Sequence, residues 1–383
     1  EDQGQFQSLP ATIAVARTYH AQAIGDLSGT VKYARLALDL LPGGDEDRRG
    51  QISGLLGLSY WASGDLEAAG RIFSDFTARL RTARNIPDAL GTAFVLADIR
   101  IAQGDLREAE DTILRSLQFA SNRGQPLPPD AADLYRALSE LCLERGDLES
   151  AAGHLEKGEE LTRKSELLGW RYRLCVAKAL LKQALGDLGG ALDLLYEAER
   201  QYIVTPLPVV RPVSAMKARI WCAQGKLAEA LGWAAERGLS VDDDLCYLRE
   251  FEHITLARVL ISRYRTAPDG SIGGTMRFLE RLLAAAEQGG RKGSVIEIQA
   301  LLALALEDQG DIPPGNQGLS EPLSQRELEV LALIGQGLSN KEIGERLFLA
   351  LDTIKGHNRR IYDKLDVRRR TEALARAREL GLL

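Results

Sequence analysis

A three-residue motif recurs along most of the chain and limits the folds available to it. Gly-Asp-Leu begins at Gly25, Gly64, Gly104, Gly146 and Gly186, and the variant Gly-Lys-Leu begins at Gly225. The steps between successive motifs are 39, 40, 42, 40 and 39 residues. A fixed period of this length is typical of repeat proteins, in which each unit packs mainly against its neighbours.

The chemistry of the motif predicts what each repeat contains. Glycine tolerates the left-handed conformation that closes one helix, and the aspartate after it caps the next helix by accepting its first N–H bonds. Small residues follow inside each second helix, where two helices must approach closely: Ala68, Ala69, Ala109, Ala151, Ala152, Ala191 and Ala230. The sequence therefore predicts an all-α fold, an α-solenoid of helix pairs.

The unit from Leu56 to Ala69, with Phe73 beyond it, resembles the tetratricopeptide repeat, although the period exceeds that family's usual length of about 34 residues. Solenoids commonly present a concave face to a ligand, so we expect a small-molecule inducer or a protein partner to bind there. Aromatic side chains at helical spacing more often pack in the core than contact a ligand. Both roles remain open for the candidate ligand contacts Trp61, Trp170, Tyr172, Trp221 and Trp233.

A segment rich in proline and glycine interrupts the last repeat. Gly310-Asp311 should open a second helix, but residues 312–322 contain three prolines and two glycines. We therefore expect a repeat domain at 1–311, a linker at 312–322 and a separate domain at 323–383. The open repeat, and Glu1 in place of Met, suggest that a segment near 311–322 and an N-terminal module belong to a longer natural protein.

The last sixty residues have a different pattern, that of four short helices. Ser324 with Glu327 and Ser339 with Glu342 have the spacing of capping boxes, which mark two helix starts. At 100° per residue the third helix places its apolar residues on one side: Ile354, Ile361 and Leu365. The opposite side carries Lys355, Gly356, Arg359, Arg360 and Asp363. This pattern predicts a helix-turn-helix whose basic side enters a DNA major groove.

The distribution of charge supports that interpretation. The whole chain has a formal net charge of −6. Residues 355–378 hold nine Lys or Arg against three Asp or Glu, and residues 321–383 hold twelve against ten. The basic charge is thus concentrated beside the third helix, and the repeats, at −8, should be repelled by phosphate.

Residues 323–383 resemble the LuxR-type DNA-binding domain over nearly the whole motif. The resemblance implies that Lys355, Gly356 and Arg359 read bases or contact the groove. It also implies that Asn340, Lys341 and Lys364 contact phosphate or orient the two helices, and that the fourth helix, near 371–380, dimerises. Backbone N–H groups at Ser339 and Thr353 suit phosphate. The chain departs from the usual pattern at Ala350, Gly356 and Asn358.

Repeats followed by this domain resemble the C-terminal half of the MalT-like regulators, in which a nucleotide-binding module precedes the sensor. The nucleotide-binding motif G-x-x-x-x-G-K-[ST] does not occur, and the similar segment Gly289–Ser294 has the wrong spacing. We therefore expect no cofactor in this chain. Scattered histidines and four cysteines without a C-x-x-C pair predict neither an enzyme nor a metal site. The absence of a long apolar run predicts no membrane contact and a bacterial cytoplasmic location.

The sequence therefore predicts a transcriptional regulator, an activator, that binds double-stranded DNA as an oligomer and whose repeats sense an inducer or a partner. The alternative is a protein-interaction scaffold whose terminal domain resembles a DNA-binding domain but serves dimerisation.

Overall fold

The computed structural model describes residues 2–121, 126–163, 167, 169–266, 272–309, 319, 321, 323, 325–347, 349 and 351–382. Within these ranges every regular element is a helix, and no helix combines the length and apolar character needed to cross a bilayer. The helices of the repeats, α1 to α15, are Asp2–Ala23, Leu27–Leu40, Glu46–Ser63, Leu66–Thr82, Ile86–Gln103, Leu106–Ser121, Ala131–Glu144, Leu148–Thr162, Trp170–Ala184, Leu188–Arg200, Val213–Ala223, Leu227–Glu236, Tyr247–Thr266, Gly273–Gln288 and Lys292–Gln309.

Four shorter helices follow along the chain. Helices α16 to α19 are Gln325–Gly335, Asn340–Leu347, Leu351–Leu365 and Arg370–Glu379. Contacts divide the chain into two compact units, Glu1–Gln299 and Ala300–Leu383. This division lies inside α15, before the boundary at residue 311 that the sequence suggests. The predicted linker is largely outside the described residues.

The recurring motif forms the turn between the two helices of a pair, as predicted. Gly64 closes α3 with φ of 87°, and the Asp65 carboxylate accepts a hydrogen bond from the Ala68 N–H at 3.0 Å. Asp147 accepts in the same way from the Ser150 N–H at 3.0 Å. These turns therefore use glycine for the left-handed residue and aspartate for the N-cap, whereas Lys226 of the variant motif makes no side-chain cap.

Small side chains allow the helices of the repeats to pack closely. One alanine near the start of each of five second helices is fully buried: Ala69, Ala109, Ala151, Ala191 and Ala230. Larger buried side chains such as Ile52, Leu90, Ile113 and Leu134 fill the space between helices. The predicted all-α solenoid of tetratricopeptide-like pairs is confirmed.

Late repeats return to touch early ones. The Trp61 indole N–H of α3 donates to the Tyr247 hydroxyl of α13 at 3.3 Å. The Lys292 ammonium at the start of α15 lies 2.5 Å from the Asp105 carboxylate, in the turn after α5. The repeat array is therefore closed by side-chain contacts between segments far apart in sequence.

Three of the five aromatic candidates for ligand contact are core residues instead. Trp61, Trp170 and Trp233 are no more than 5% exposed, so they pack between helices and offer no ligand surface. Tyr172 is half-buried and meets the Tyr202 ring edge-on, with centroids 5.3 Å apart. Most of these aromatic residues at helical spacing therefore pack in the core, which is the more common role for such a pattern.

Candidate nucleic-acid interface

Helices α16 to α19 share one small apolar core. Ile354 and Ile361 of α18 are fully buried and Leu365 is nearly so, which confirms the apolar side predicted for this helix. They pack with residues of the other three helices, including Val330, Leu331, Ile334, Ile343, Ala373 and Ala377. The core thus fixes the rotation of α18 about its own axis and decides which side faces outward.

Helix α17 begins with the predicted capping box. The Ser339 N–H donates to the Glu342 carboxylate at 2.7 Å, and the Glu342 N–H donates to the Ser339 hydroxyl at 3.4 Å. The backbone hydrogen bond lowers the pKa of Glu342. Since the Ser339 N–H is already bonded, it is not available for phosphate while the box holds. Ser324, the first residue of the other predicted box, lies outside the described residues.

The basic residues of α18 lie opposite its buried side. Thr353, Lys355, Arg359 and Arg360 are exposed, and Gly356 is half-buried with nothing close to the position a β-carbon would take. Lys341, near the start of α17, is also exposed and lies 3.9 Å from Glu345. Exposed cations on a helix with a fixed buried side form the kind of surface that can approach the phosphates and base edges of a duplex.

An open groove of about 440 Å³ runs beside this surface. It brings the predicted site residues Asn340, Lys355 and Arg359 together with Val367 and Arg368, which follow α18 in sequence. Its lining is Asn340, Lys355, Asn358, Arg359, Tyr362, Asp363, Val367 and Arg368. The sequence pattern did not single out Tyr362 or Arg368, because neither lies on the basic stripe of α18.

Lys364 has a different environment from the other predicted site residues. Its side chain is 13% exposed, and its ammonium lies 3.0 Å from Glu327 of α16 and 3.2 Å from Glu321. Burial lowers the pKa of Lys364, but the bonds to the two carboxylates outweigh that effect, so the pKa is raised. This geometry favours the orienting role over the phosphate contact, the two options implied by the family resemblance.

Asn358 joins the two central helices. It is 7% exposed, and its side-chain N–H donates to the Asn340 side-chain oxygen at 2.9 Å. The Asn358 side-chain oxygen is buried and has no hydrogen-bond partner among the described residues. The sequence marks Asn358 only as a departure from the family pattern and does not indicate its partner, eighteen positions earlier in the chain.

Two arginines hold helix ends and do not belong to the basic surface. The Arg370 guanidinium donates to the Ile334 carbonyl in the last turn of α16, at 3.3 Å, and to the Leu338 carbonyl just after that helix, at 2.5 Å. Arg326 donates to the Leu347 carbonyl at the end of α17, at 2.9 Å. These residues satisfy carbonyls that a helix end leaves without partners. A charge count alone could not separate them from groove-facing cations.

The turn between α17 and α18 requires a residue without a side chain. The Leu349 N–H donates to the Gly344 carbonyl at 2.8 Å. A β-carbon on Gly344 would lie 2.8 Å from the Leu349 carbonyl oxygen, which is closer than real contacts allow. Ala350, one of the three departures from the family pattern, lies outside the described residues. Within the described ranges no cluster of His, Cys, Asp or Glu is arranged to hold a metal ion.

Comparison with known proteins decides the family. Residues 11–324 match the MalT-like TPR region, and residues 321–377 match bacterial regulatory proteins of the luxR family. The chain belongs to the family defined by the MalT-like TPR region, and its C-terminal segment is a LuxR-type domain. The predicted order of the two regions and their resemblance are confirmed, and a LuxR-type helix-turn-helix implies DNA binding.

Individual relatives match either the terminal domain or most of the chain. The transcriptional regulatory protein LiaR of Bacillus subtilis is 55% identical over 53 residues, which are 14% of this chain and 25% of LiaR. The regulator MalT of Vibrio parahaemolyticus is 25% identical over 72% of this chain and 34% of MalT. The chain therefore spans about a third or less of the length of these relatives.

A solved structure supports the repeat fold. The Rap protein complexed with competence and sporulation factor superposes with a TM-score of 0.50 at 12% identity, over 80% of this chain and 88% of that protein. At this identity the likeness shows the fold alone.

Proposed function

We propose that this regulator binds double-stranded DNA by inserting α18 into the major groove, and that its repeats sense an inducer or a protein partner. The observation that carries the proposal is the fixed orientation of α18, whose apolar side is buried and whose basic side is exposed. The regulator acts as an activator in the bacterial cytoplasm, it performs no catalysis, and it needs no cofactor in this chain.

The residues divide by role in this proposal. Lys355 and Arg359 donate to base edges, where a long cationic side chain suits guanine N7 and O6. Gly356 lets the helix approach the groove closely because it has no side chain. The remaining contacts are to the phosphate backbone, which positions the domain, and they come from Asn340, Lys341, Thr353 and Arg360. Lys364 orients α16 against α18.

Paired domains would supply the affinity that one domain lacks. A single helix-turn-helix buries little surface, and specific binding of such domains commonly uses two half-sites. An inducer or partner on the repeats would shift the protein toward an oligomer that presents two copies of α18, so that the second contact becomes intramolecular. A tethered dimer should then bind a two-site duplex far more tightly than the monomer, and equal affinities would remove the oligomer from the proposal.

The decisive experiment removes the basic side of α18. Lys355→Ala with Arg359→Ala should weaken binding to a cognate duplex about a hundredfold or more, since each good base contact contributes on the order of 1–3 kcal/mol. The control, Arg107→Ala with Arg115→Ala, removes the same charge from exposed positions of α6 in the repeats. If the first pair leaves the affinity unchanged at moderate salt, the scaffold alternative replaces the DNA-binding role. If both pairs weaken it equally, net charge and not α18 governs binding.

A further inference from the structure

Two arginines share a single carboxylate inside the repeat region. Arg219 of α11 and Arg258 of α13 lie 2.9 Å and 2.8 Å from the same oxygen of Glu297 in α15. Arg219 also donates to the Thr255 hydroxyl at 2.8 Å, and its guanidinium carbon lies 3.8 Å from the centre of the Phe251 ring. The three charged side chains come from alternate helices of the array, and the packing of these helices places them next to one another.

Both arginines have hydrogen-bonding capacity that the protein does not use. The Arg219 Nη2 and the Arg258 Nε are buried, and neither has a hydrogen-bond partner among the described residues. A buried donor without an acceptor is costly, and a charged donor more so. These two N–H groups therefore favour an acceptor from outside the chain.

The charge at this point is also uncompensated. Two guanidinium groups face one carboxylate, which leaves a net charge of about +1 on the cluster. Burial lowers the pKa of Arg219 to about 10, although Glu297 acts in the opposite direction, and the nearby charges of Arg258 and Arg211 lower it further. The protein thus holds more positive charge here than its own carboxylate balances.

A second buried arginine in the same array shows the opposite balance. Arg136 of α7 faces three carboxylates, those of Asp98, Asp133 and Glu140. Its pKa is raised, because their attraction outweighs the effect of burial. Arg136 is therefore surrounded by enough acid to balance its charge, and the environment of Arg219 is different.

The cluster can be reached from solvent. The side chains of Arg219, Glu297 and Arg258 are 16%, 27% and 36% exposed, so the cluster is partly open to solvent and is not sealed in the core. The two unused N–H groups are themselves buried beneath this surface, so a small oxyanion would reach them through a local movement of the two arginine side chains. The flat fork of an arginine suits the two oxygens of a carboxylate or a phosphate.

We propose that Arg219 and Arg258 bind the oxyanion group, carboxylate or phosphate, of a small effector. The proposal deepens the sensing role and rests on it: it gives the chemical class of the inducer. The bound oxyanion accepts from the unused N–H groups, neutralises the excess charge beside Glu297, and links α11, α13 and α15. Binding therefore stabilises the contacts among three helices of the array.

The test uses the full chain and inorganic phosphate, with sodium acetate as the carboxylate arm, at constant ionic strength. Phosphate, acetate or both should raise the melting temperature, and the concentration dependence gives a dissociation constant. Arg258→Gln should weaken binding about tenfold or more, since a charged hydrogen bond is lost. The control is Arg145, which follows the end of α7 and pairs with Glu110 of α6. Arg145→Gln should leave the dissociation constant for the anion unchanged.

A second variant reverses the sign of the effect. Glu297→Gln raises the net charge of the cluster from about +1 to +2 and should tighten anion binding, whereas a purely structural role would only lower the melting temperature. No effect of either anion on the wild type, equal dissociation constants for Arg258→Gln and Arg145→Gln, or weaker binding by Glu297→Gln would each overturn the proposal.

Two measurements separate this proposal from the DNA-binding one. The anion effect should persist in the variant with Lys355→Ala and Arg359→Ala, which lacks the basic side of α18, and its loss there would place the anion on α18 and overturn the site. Duplex binding by Arg258→Gln should match the wild type in a gel-shift assay without added anion. The two proposals can then fail independently.

Discussion

The Asn358 side chain of α18 donates a hydrogen bond to the Asn340 side-chain oxygen at the start of α17, across 2.9 Å. This bond occupies the oxygen of Asn340 and directs its NH₂ group away from Asn358. An amide held in this way presents a donor on the surface that carries Lys355 and Arg359, as a phosphate contact requires. In the proposed DNA interface, Asn358 would thus be a positioning residue that acts through Asn340.

Asn358→Leu should separate DNA affinity from stability. It removes the buried oxygen that lacks a partner, so the free energy of unfolding should be unchanged or higher. Duplex affinity should fall, and the slope of log K against log salt should decrease by about 1, the loss of one phosphate contact. Binding measured at four salt concentrations checks this. Asn340→Ala should give the same slope, and the double variant should give no further change; additive losses would show that the two residues act separately.

Lys364 and Glu327 form a buried ion pair, 13% and 3% exposed. Lys364→Met should cost about 3–5 kcal/mol of stability because it leaves a buried carboxylate unpaired. Replacing both, with Glu327→Leu as well, should recover most of the loss. Urea unfolding measures both effects. The control Lys178→Met, from an exposed pair with Glu159, should cost less than about 1 kcal/mol.

The same double variant tests whether Lys364 touches DNA. If the role is orientation, Lys364→Met with Glu327→Leu should bind the duplex with an unchanged salt slope once the fraction folded is equal. A slope reduced by about 1 would show a phosphate contact instead.

Gly64 offers a test of the contact between early and late repeats. A β-carbon there would lie 2.9 Å from the Tyr247 side chain, while one on Gly146 would meet nothing within 4 Å. Both glycines have positive φ, so alanine strains the backbone equally, by roughly 1 kcal/mol. Gly64→Ala should therefore lower the melting temperature more than Gly146→Ala. Equal melting temperatures would mean that the Tyr247 contact contributes nothing to stability.

The Asp98 carboxylate gives the fold a pH dependence. Burial raises its pKa to about 6, above the ordinary 3.8, although Arg136 acts in the opposite direction. The folded state therefore binds the proton more tightly than the unfolded state. Stability from this group is fully present below about pH 4 and is lost as the pH rises through 6, by up to about 3 kcal/mol.

Asp98→Asn should remove this dependence. Relative to the variant, the wild type should lose stability between pH 4 and 7, as measured by thermal unfolding at each pH. Asp111→Asn, at an exposed position of α6, should run parallel to the wild type. A constant difference between wild type and Asp98→Asn across this range would contradict the raised pKa.

Local chemistry made the repeats and the terminal helices predictable. Glycine and aspartate at a fixed period define the turns, and the spacing of Ile354, Ile361 and Leu365 defines the buried side of α18. Both are properties of neighbouring residues, which a sequence displays directly. The Ser339 capping box has the same origin.

Contacts between distant segments were not predictable. The partners of Asn358, Lys364 and Arg370 lie 18 to 43 residues away, and no period or propensity specifies them. The charge pattern counted Arg370 and Lys364 with the groove-facing cations, because charge is visible in a sequence but its direction is not. The sharing of Glu297 by Arg219 and Arg258 depends on the stacking of three helices, which a repeat motif does not determine.

The bonds from Trp61 to Tyr247 and from Asp105 to Lys292 have a consequence for the behaviour of the array. A linear stack of repeats frays from its ends and transmits a disturbance one neighbour at a time. Here residues 186 and 187 positions apart are bonded directly, so a shift of α13 or α15 reaches α3 and α5 without crossing the helices between them. Unfolding should accordingly be concerted across these repeats and refolding slow, since distant segments must meet before either bond can form.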